Sequence, residues 1–259
     1  MMTSVPNGLL IDLDGTVWED GVLIAGVVET VAALREAGVP FRFLTNTTRK
    51  ARATLARELG EAGLETAPEE VLTATSSAAA WLRRRGVERV SALVAEAALV
   101  DLEGLTIEHE APEVVLVGDL GEAWTFPVLD RAFRALLAGA ELVAVQRNRY
   151  WKTGGRLSLD AGPFVVALEY ATGQTAHLIG KPSRELFVTA AAELGLEPQR
   201  VAMVGDDLEA DIEGAKRAGL LAFAVRTGKY RPEDEAGAAA GADRILDSMA
   251  ELPLALGLA

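Results

Sequence analysis

Two apolar runs far apart in this chain each end in carboxylates. The first is Leu9-Leu10-Ile11-Asp12-Leu13-Asp14-Gly15-Thr16; the second is Val201-Ala202-Met203-Val204-Gly205-Asp206-Asp207, with Asp211 following. Short continuous apolar runs bounded by turn signals read as strands buried on both faces. A carboxylate beside such a core is costly unless something compensates its charge. If the two strands are neighbours in one sheet, their acids meet at a single edge. That arrangement suits a divalent cation and phosphate chemistry.

The rest of the chain alternates short apolar runs with amphipathic segments, which predicts an α/β fold with a mainly parallel sheet. Strands are expected at 8–13, 41–44, 71–74, 90–95, 113–117, 141–146, 177–180, 201–204 and 221–225, with an edge strand at 242–246. Helices are expected at 27–37, 49–62, 126–138, 163–172, 184–194 and 212–218, and Ser76 or Ser77 fits the cap of a further helix. Acid-bearing strand ends occur in the first and last thirds but not in the middle. The expected division is therefore a discontinuous core domain, 1–75 with 177–259, and an inserted domain at 76–176.

Composition narrows the function classes. A net charge of -13 over 259 residues supplies no basic field for a nucleic acid or an anionic membrane surface. A small phosphorylated molecule needs only a few local donors. Cysteine is absent, which removes thiolate chemistry, disulfides and Cys-ligated zinc. His109 and His177 are isolated and expected to be structural or exposed rather than catalytic, and Trp81, Trp124 and Trp151 are expected to be packing residues. No basic-then-apolar leader pattern opens the chain, and no run reaches the length of a membrane span. The expected location is cytoplasmic.

Four strand-end phrases carry the chemistry: Asp12/Asp14, Thr45/Asn46, Lys181 after Ile179-Gly180, and Asp206/Asp207/Asp211. Ligands of open α/β sheets sit beyond the carboxyl ends of the strands. Carboxylates without nitrogen or sulfur ligands suit Mg²⁺. Thr45, Asn46 and Lys181 offer hydroxyl, amide and ammonium donors to a phosphoryl group. Singly, each phrase reads as ordinary structure: an Asp-Gly turn, a turn at Thr45-Asn46, a helix entry at Lys181-Pro182-Ser183, a helix cap at Asp206 or Asp207. An EF-hand is excluded because the calcium-loop spacing and its closing acid are missing. The four phrases together outweigh the separate structural readings.

In this order, Asp-x-Asp-Gly-Thr, the strand-end Thr, Gly-Lys-Pro and Gly-Asp-Asp-x-x-x-Asp resemble the four motifs of the haloacid dehalogenase (HAD) superfamily. The insertion resembles the α/β C2 cap of the NagD-like subfamily, on a Rossmann-like core. Asn148-Arg149-Tyr150-Trp151-Lys152, with Gly162-Pro163-Phe164 through Thr172, is similar to the branch containing phospholysine phosphohistidine inorganic pyrophosphate phosphatase. The resemblance implies an Mg²⁺-dependent phosphatase for a small phosphorylated compound or pyrophosphate. Asp12 is the implied nucleophile and Asp14 the acid and base, its main-chain carbonyl on the metal. Asp206 is the implied direct ligand beside Asp12, and Asp207 and Asp211 hold metal-bound water or orient Lys181. Thr45, the Asn46 amide and Lys181 hold the phosphoryl oxygens. Caps of this family often mediate dimers, so a homodimer through the cap is a further implication. Two other readings stay open: a dehalogenase-like hydrolase, and a phospho-ligand binder without turnover.

Many NagD-like chains carry Thr-Asn-x-Asp where this one has Asn148-Arg149-Tyr150, so their substrates do not transfer. Asn148, Arg149, Tyr150 and Lys152 form a basic-aromatic group in an acidic chain. An ordinary solvated loop and a contact to an anionic leaving group explain it about equally well.

Overall fold

The computed structural model describes residues 5–153 and 156–258, with the backbone alone at 151–153 and 156–157. The chain forms two compact units. One comprises 1–45, 53–72 and 181–259; the other comprises 46–52 and 73–180.

The first unit is built on a six-stranded sheet. Its order is Arg244–Leu246, Leu221–Val225, Val201–Gly205, Gly8–Asp12, Phe41–Thr45, Val71–Thr73. The two acid-terminated strands are central neighbours, paired in parallel with Ile11 opposite Val204. Gly8–Asp12 also pairs in parallel with Phe41–Thr45, placing Asp12 opposite Leu44. Successive side chains of a strand point to opposite faces, and both faces of this sheet are covered, so its central strands contain almost no polar residues. Leu9 and Ile11 enter the core on one face with Ala202, Val204, Phe41 and Phe43. Leu10 enters the other with Val201, Met203 and Leu44. Helix Val27–Glu36 supplies Val27, Val31 and Leu34 to the first face, and Arg184–Glu193 supplies Leu186, Phe187 and Ala190 to the second.

The second unit contains a five-stranded sheet in the order His177–Leu178, Glu141–Ala144, Val114–Val117, Arg89–Leu93, Thr106–Ile107, parallel at every pairing. Apolar layers cover both faces. The aromatic residues pack as expected: Trp81 stacks on His177 at 4.8 Å and Trp124 on Phe164 at 4.1 Å. His109 Nδ1 lies 2.9 Å from the Ser91 hydroxyl. The side chain of Trp151 lies outside the described residues. No helix among the described residues is long and apolar enough to cross a membrane.

The structure moves several expected boundaries. His177–Leu178 pairs with Val143 and Ala144, so it belongs to the second sheet, and the chain rejoins the first unit at Lys181 rather than at 177. The helix expected from Arg49 starts at Arg52, whose amide donates to the buried Asp101 carboxylate at 3.1 Å. Thr73, rather than Ser76 or Ser77, caps helix Ala74–Arg84: its hydroxyl accepts from the Ser76 amide at 3.0 Å and Ser76 Oγ accepts from the Thr73 amide. The helix expected from 212 begins as a wide π-type turn at Leu208–Glu213. Two hairpins were not foreseen, Trp18–Glu19 with Val22–Leu23 and Tyr150–Thr153 with Arg156–Leu159.

Asp101 ties together both short segments by which the chain enters the second unit. It accepts from the Arg52 amide and, at 2.8 Å, from the Thr73 hydroxyl. Burial raises its pKa, opposed by those donors and by the Arg52 guanidinium. Asp101→Ala strands the buried Thr73 hydroxyl and the half-buried Arg52 amide and is expected to destabilise the protein by about 2 kcal/mol in urea denaturation. Arg57→Ala, which breaks the exposed pair of Arg57 with Glu61, is expected to stay within about 0.5 kcal/mol of the parent. Equal effects of the two substitutions would contradict this account.

Candidate active site

Asp12 ends strand Gly8–Asp12 of the six-stranded sheet and is buried. The chain then turns tightly. The Leu13 carbonyl accepts from the amides of Val17 at 2.9 Å and Trp18 at 3.1 Å, and Gly15 donates to the Trp18 carbonyl at 2.8 Å. The turn leaves Asp14 exposed, two residues from a buried Asp12. Gly15 has φ +92°, and a Cβ there would collide with the Asp206 carboxylate and with Gly228. The close approach of these backbones therefore requires glycine.

On the neighbouring strand, Asp206 follows Gly205 and is buried. Asp207 caps the wide turn that follows, accepting from the amides of Glu209 at 3.2 Å and Ala210 at 3.0 Å. That turn carries Asp211 back toward the strand end, where its Oδ2 accepts from the Asp207 amide at 3.2 Å. Lys181, itself only 7% exposed, enters from the start of the segment leading to helix Arg184–Glu193. Its Nζ lies 2.5 Å from Asp12 Oδ1 and 2.8 Å from Asp211 Oδ1.

Oxygens of Asp12, Asp206 and Asp211 all lie within 4.8 Å of one another. Burial pushes Asp12 up to about 6, with Lys181 opposing and Asp206 and Asp14 reinforcing the shift. Burial likewise pushes Asp211 up to about 7 against the pull of Lys181. Asp206 is raised by the same cause, held back by the Lys229 amide. Burial works against the Lys181 ammonium, but Asp12 and Asp211 hold its pKa above the ordinary value. With every group ionised, three buried carboxylates face one buried ammonium, and the exposed Lys229 ammonium is already paired with Asp207. Asp206 Oδ2 accepts from the Lys229 amide at 2.7 Å, while its buried Oδ1 has no hydrogen-bond partner among the described residues. An excess of buried negative charge with an unpartnered carboxylate oxygen fits a hard divalent cation.

The other expected residues are distributed as follows. Thr45 is buried at the end of the strand beside Asp12. Asn46 belongs to the second unit. Asp207 stands apart from the buried trio and pairs with Lys229 Nζ at 3.0 Å; burial raises its pKa, but the Ala210 amide and Lys229 bring it below the ordinary value. Asn148, Arg149 and Tyr150 lie in the second unit, where Tyr150 is 58% exposed and the Asn148 carbonyl accepts from the Gly162 amide at 2.9 Å. The side chain of Lys152 lies outside the described residues.

Several contributors escaped the sequence reading. The turn after strand Leu221–Val225 docks on the Gly15 loop: Thr227 Oγ1 donates to the Gly15 carbonyl at 2.5 Å and the Gly228 amide donates to Glu19 at 2.9 Å. The same turn delivers the Lys229 amide to Asp206. The available signal was its place at a strand end; it has no carboxylate to draw notice. Trp18 was missed too. Its Nε1 donates to Asp14 Oδ1 at 2.9 Å.

Comparison with known proteins agrees with this geometry. The model of the family "Haloacid dehalogenase-like hydrolase" matches residues 9–108, and a related HAD hydrolase-like model matches residues 178–252. The human protein "Haloacid dehalogenase-like hydrolase domain-containing protein 2" is 39% identical over 229 residues, covering 88% of this chain and 87% of its own. Human phospholysine phosphohistidine inorganic pyrophosphate phosphatase is 36% identical over 251 residues, covering 95% of this chain and 92% of its own. Among solved structures, the 4-nitrophenylphosphatase of Thermotoga maritima superposes with a TM-score of 0.88 at 28% identity over 97% of each chain. On the family match, the extent of these relatives and the carboxylate–lysine cluster that the sheet assembles, the chain belongs to the haloacid dehalogenase-like hydrolases.

Proposed function

We propose that this protein is an Mg²⁺-dependent phosphatase that hydrolyses a small phosphorylated compound through an aspartyl phosphate on Asp12. The observation that carries the reading is the buried contact of Lys181 with Asp12 and Asp211, beside Asp206 at the ends of two adjacent strands. Two relatives named as phosphatases support it.

In the first half-reaction an Asp12 carboxylate oxygen bonds to phosphorus and the bond from phosphorus to the leaving oxygen or nitrogen breaks. Asp14 delivers the proton that the leaving atom needs. In the second, Asp14 takes a proton from water, the water oxygen bonds to phosphorus and the phosphorus–Asp12 bond breaks. Lys181 places its ammonium at Asp12 and offsets the repulsion between that carboxylate and an anionic phosphoryl group. Thr45 and the Asn46 amide are assigned to the phosphoryl oxygens. Mg²⁺ would be held by Asp12, the Asp14 carbonyl and Asp206, and when bound it supplies positive charge to the transferring group. Asp211 orients Lys181 through their 2.8 Å ion pair, and Asp207 stabilises the turn that carries Asp211. The leaving group is an alcohol, a second phosphate or a phosphoramidate nitrogen. Arg149, Tyr150, Asn148 and Lys152 are assigned to its recognition on their chemistry, a cationic and aromatic set suited to an anionic group. The domain roles follow: HAD core for the first unit and C2 cap for the second.

Asp12→Asn is expected to lower kcat by at least about a thousandfold against a phosphate-ester panel while unfolding remains cooperative. Near-normal turnover, or halide release without added cation, would refute the reading. Replacing Arg149 and Tyr150 by Ala is expected to raise KM about tenfold for the best substrate, with smaller changes for poor ones. Unchanged kinetics across the panel would remove both from the site.

The raised carboxyl pKa values give a linked test. Native values of about 6 for Asp12 and about 7 for Asp211 exceed those of the unfolded chain. Protonation of these groups therefore favours the cation-free fold fully below about pH 4, and that contribution is lost as pH rises through about 6 to 7. A cation competes with the same protons. The rise in Tm caused by Mg²⁺ should thus grow between about pH 5 and about pH 8, and Asp206→Asn should remove most of it. A pH-independent rise would contradict the assignment of the cation to these carboxylates.

A further inference from the structure

The contact between Trp18 and Asp14 goes beyond the roles that the motifs imply. Trp18 is 6% exposed and its ring belongs to the core cluster that includes Leu13, Val17 and Val27. Any large apolar side chain could occupy such a position. An indole carries a donor that a buried environment penalises unless it finds an acceptor. Here the acceptor is Oδ1 of Asp14, at 2.9 Å, although Asp14 itself is exposed. The backbone holds the donor in place. Trp18 donates to the Leu13 carbonyl and accepts from the Gly15 amide. It also pairs with Leu23 in the short hairpin, while Thr227 pins the Gly15 carbonyl.

We propose that Trp18 is a positioning residue that holds the Asp14 carboxyl in one orientation, with Oδ1 engaged and Oδ2 left as the oxygen for proton transfer. This inference rests on the reading of Asp14 as the acid and base. Indole N–H donates and cannot accept. A carbonyl oxygen accepts more strongly than the oxygen of an O–H, so a protonated Asp14 that keeps this hydrogen bond carries its proton preferentially on Oδ2. A carboxyl free in water has two equivalent oxygens and rotates between them. With Trp18 bound to Oδ1, rotation is checked and Oδ2 is left as the atom that gives up the proton to the leaving group and later takes one from water. The heavy-atom balance of the reaction is unchanged; only the location of the transferable proton is set.

Leaving-group dependence tests this. A p-nitrophenolate departs as a stable anion and needs little protonation, whereas an alkoxide needs the proton. The value of kcat/KM covers the steps through leaving-group departure. Trp18→Phe keeps an aromatic ring and removes the N–H. It is expected to lower kcat/KM for an alkyl phosphate about tenfold and for p-nitrophenyl phosphate by no more than about twofold. In an Asp14→Ala background the same substitution should have little further effect on the alkyl ester. Equal losses for both esters, or no loss for either, would overturn the proposal. A second measurement does not depend on folding of the Trp18 variant. The chain has four tryptophans, and one indole N–H resonance should move in Asp14→Ala; four unmoved resonances would also overturn it. Failure of the underlying reading looks different: the parent protein hydrolyses neither ester, or its turnover survives Asp12→Asn.

Discussion

The buried ammonium of Lys181 is the interaction on which the rest of the site depends. Carboxylates cannot collect in an apolar sheet edge without a counter-charge, because removing each from water costs several kcal/mol. Lys181 lies within ion-pair distance of two of the three buried acids. Its own burial becomes tolerable for the same reason, since Asp12 and Asp211 outweigh the loss of solvent. The balance is incomplete: Asp206 keeps an oxygen without a hydrogen-bond partner among the described residues, and burial holds the pKa values of Asp12 and Asp211 above the ordinary carboxylate range. Such a cluster is stable in the folded chain yet still able to take a cation, which would replace protons rather than disrupt existing bonds.

The sheet converts this local balance into a site. Gly8–Asp12 and Val201–Gly205 are central and parallel, so their carboxyl ends open on the same edge. Apolar residues alternate between two covered faces until the strand ends, and the first acids appear where the core stops. That transition was legible from the sequence, as was the conjunction of Asp12, Lys181, Asp206 and Asp211, because each sits at a strong change from apolar to polar residues. The α/β class was legible for the same reason.

Other features depend on partners that sequence proximity does not reveal. A two-residue strand such as His177–Leu178 has no pattern that tells one sheet from another; its pairing with Val143 and Ala144 decides the matter. The start of helix Arg52–Glu61 is set by Asp101, which accepts from the Arg52 amide across 49 positions of chain. Thr227, Gly228 and Lys229 illustrate a different blindness. Two of their four contacts, to Gly15, Glu19, Asp206 and Asp207, are made by main-chain amides, which nearly every residue possesses. Side-chain chemistry in a sequence marks ligands and nucleophiles far better than it marks the backbone that aims them.

Asp12 and Asp14 show how one short turn can place similar groups in different surroundings. Both are aspartates on one loop, yet the first is enclosed with Lys181 and the second reaches solvent. Enclosure suits a group that must remain fixed against phosphorus, because a buried ion pair restricts its orientation. Exposure suits a group that exchanges protons with departing and attacking molecules, but it gives up orientation. The Trp18 N–H restores a defined geometry to that exposed carboxyl without burying it. The tight turn at Leu13 makes this division possible, for it places the Trp18 amide on the Leu13 carbonyl and its ring in the core while directing the indole donor to Asp14. The exposed Asp14 is therefore tied to the core through a neighbour four residues away, whereas Asp12 is tied directly.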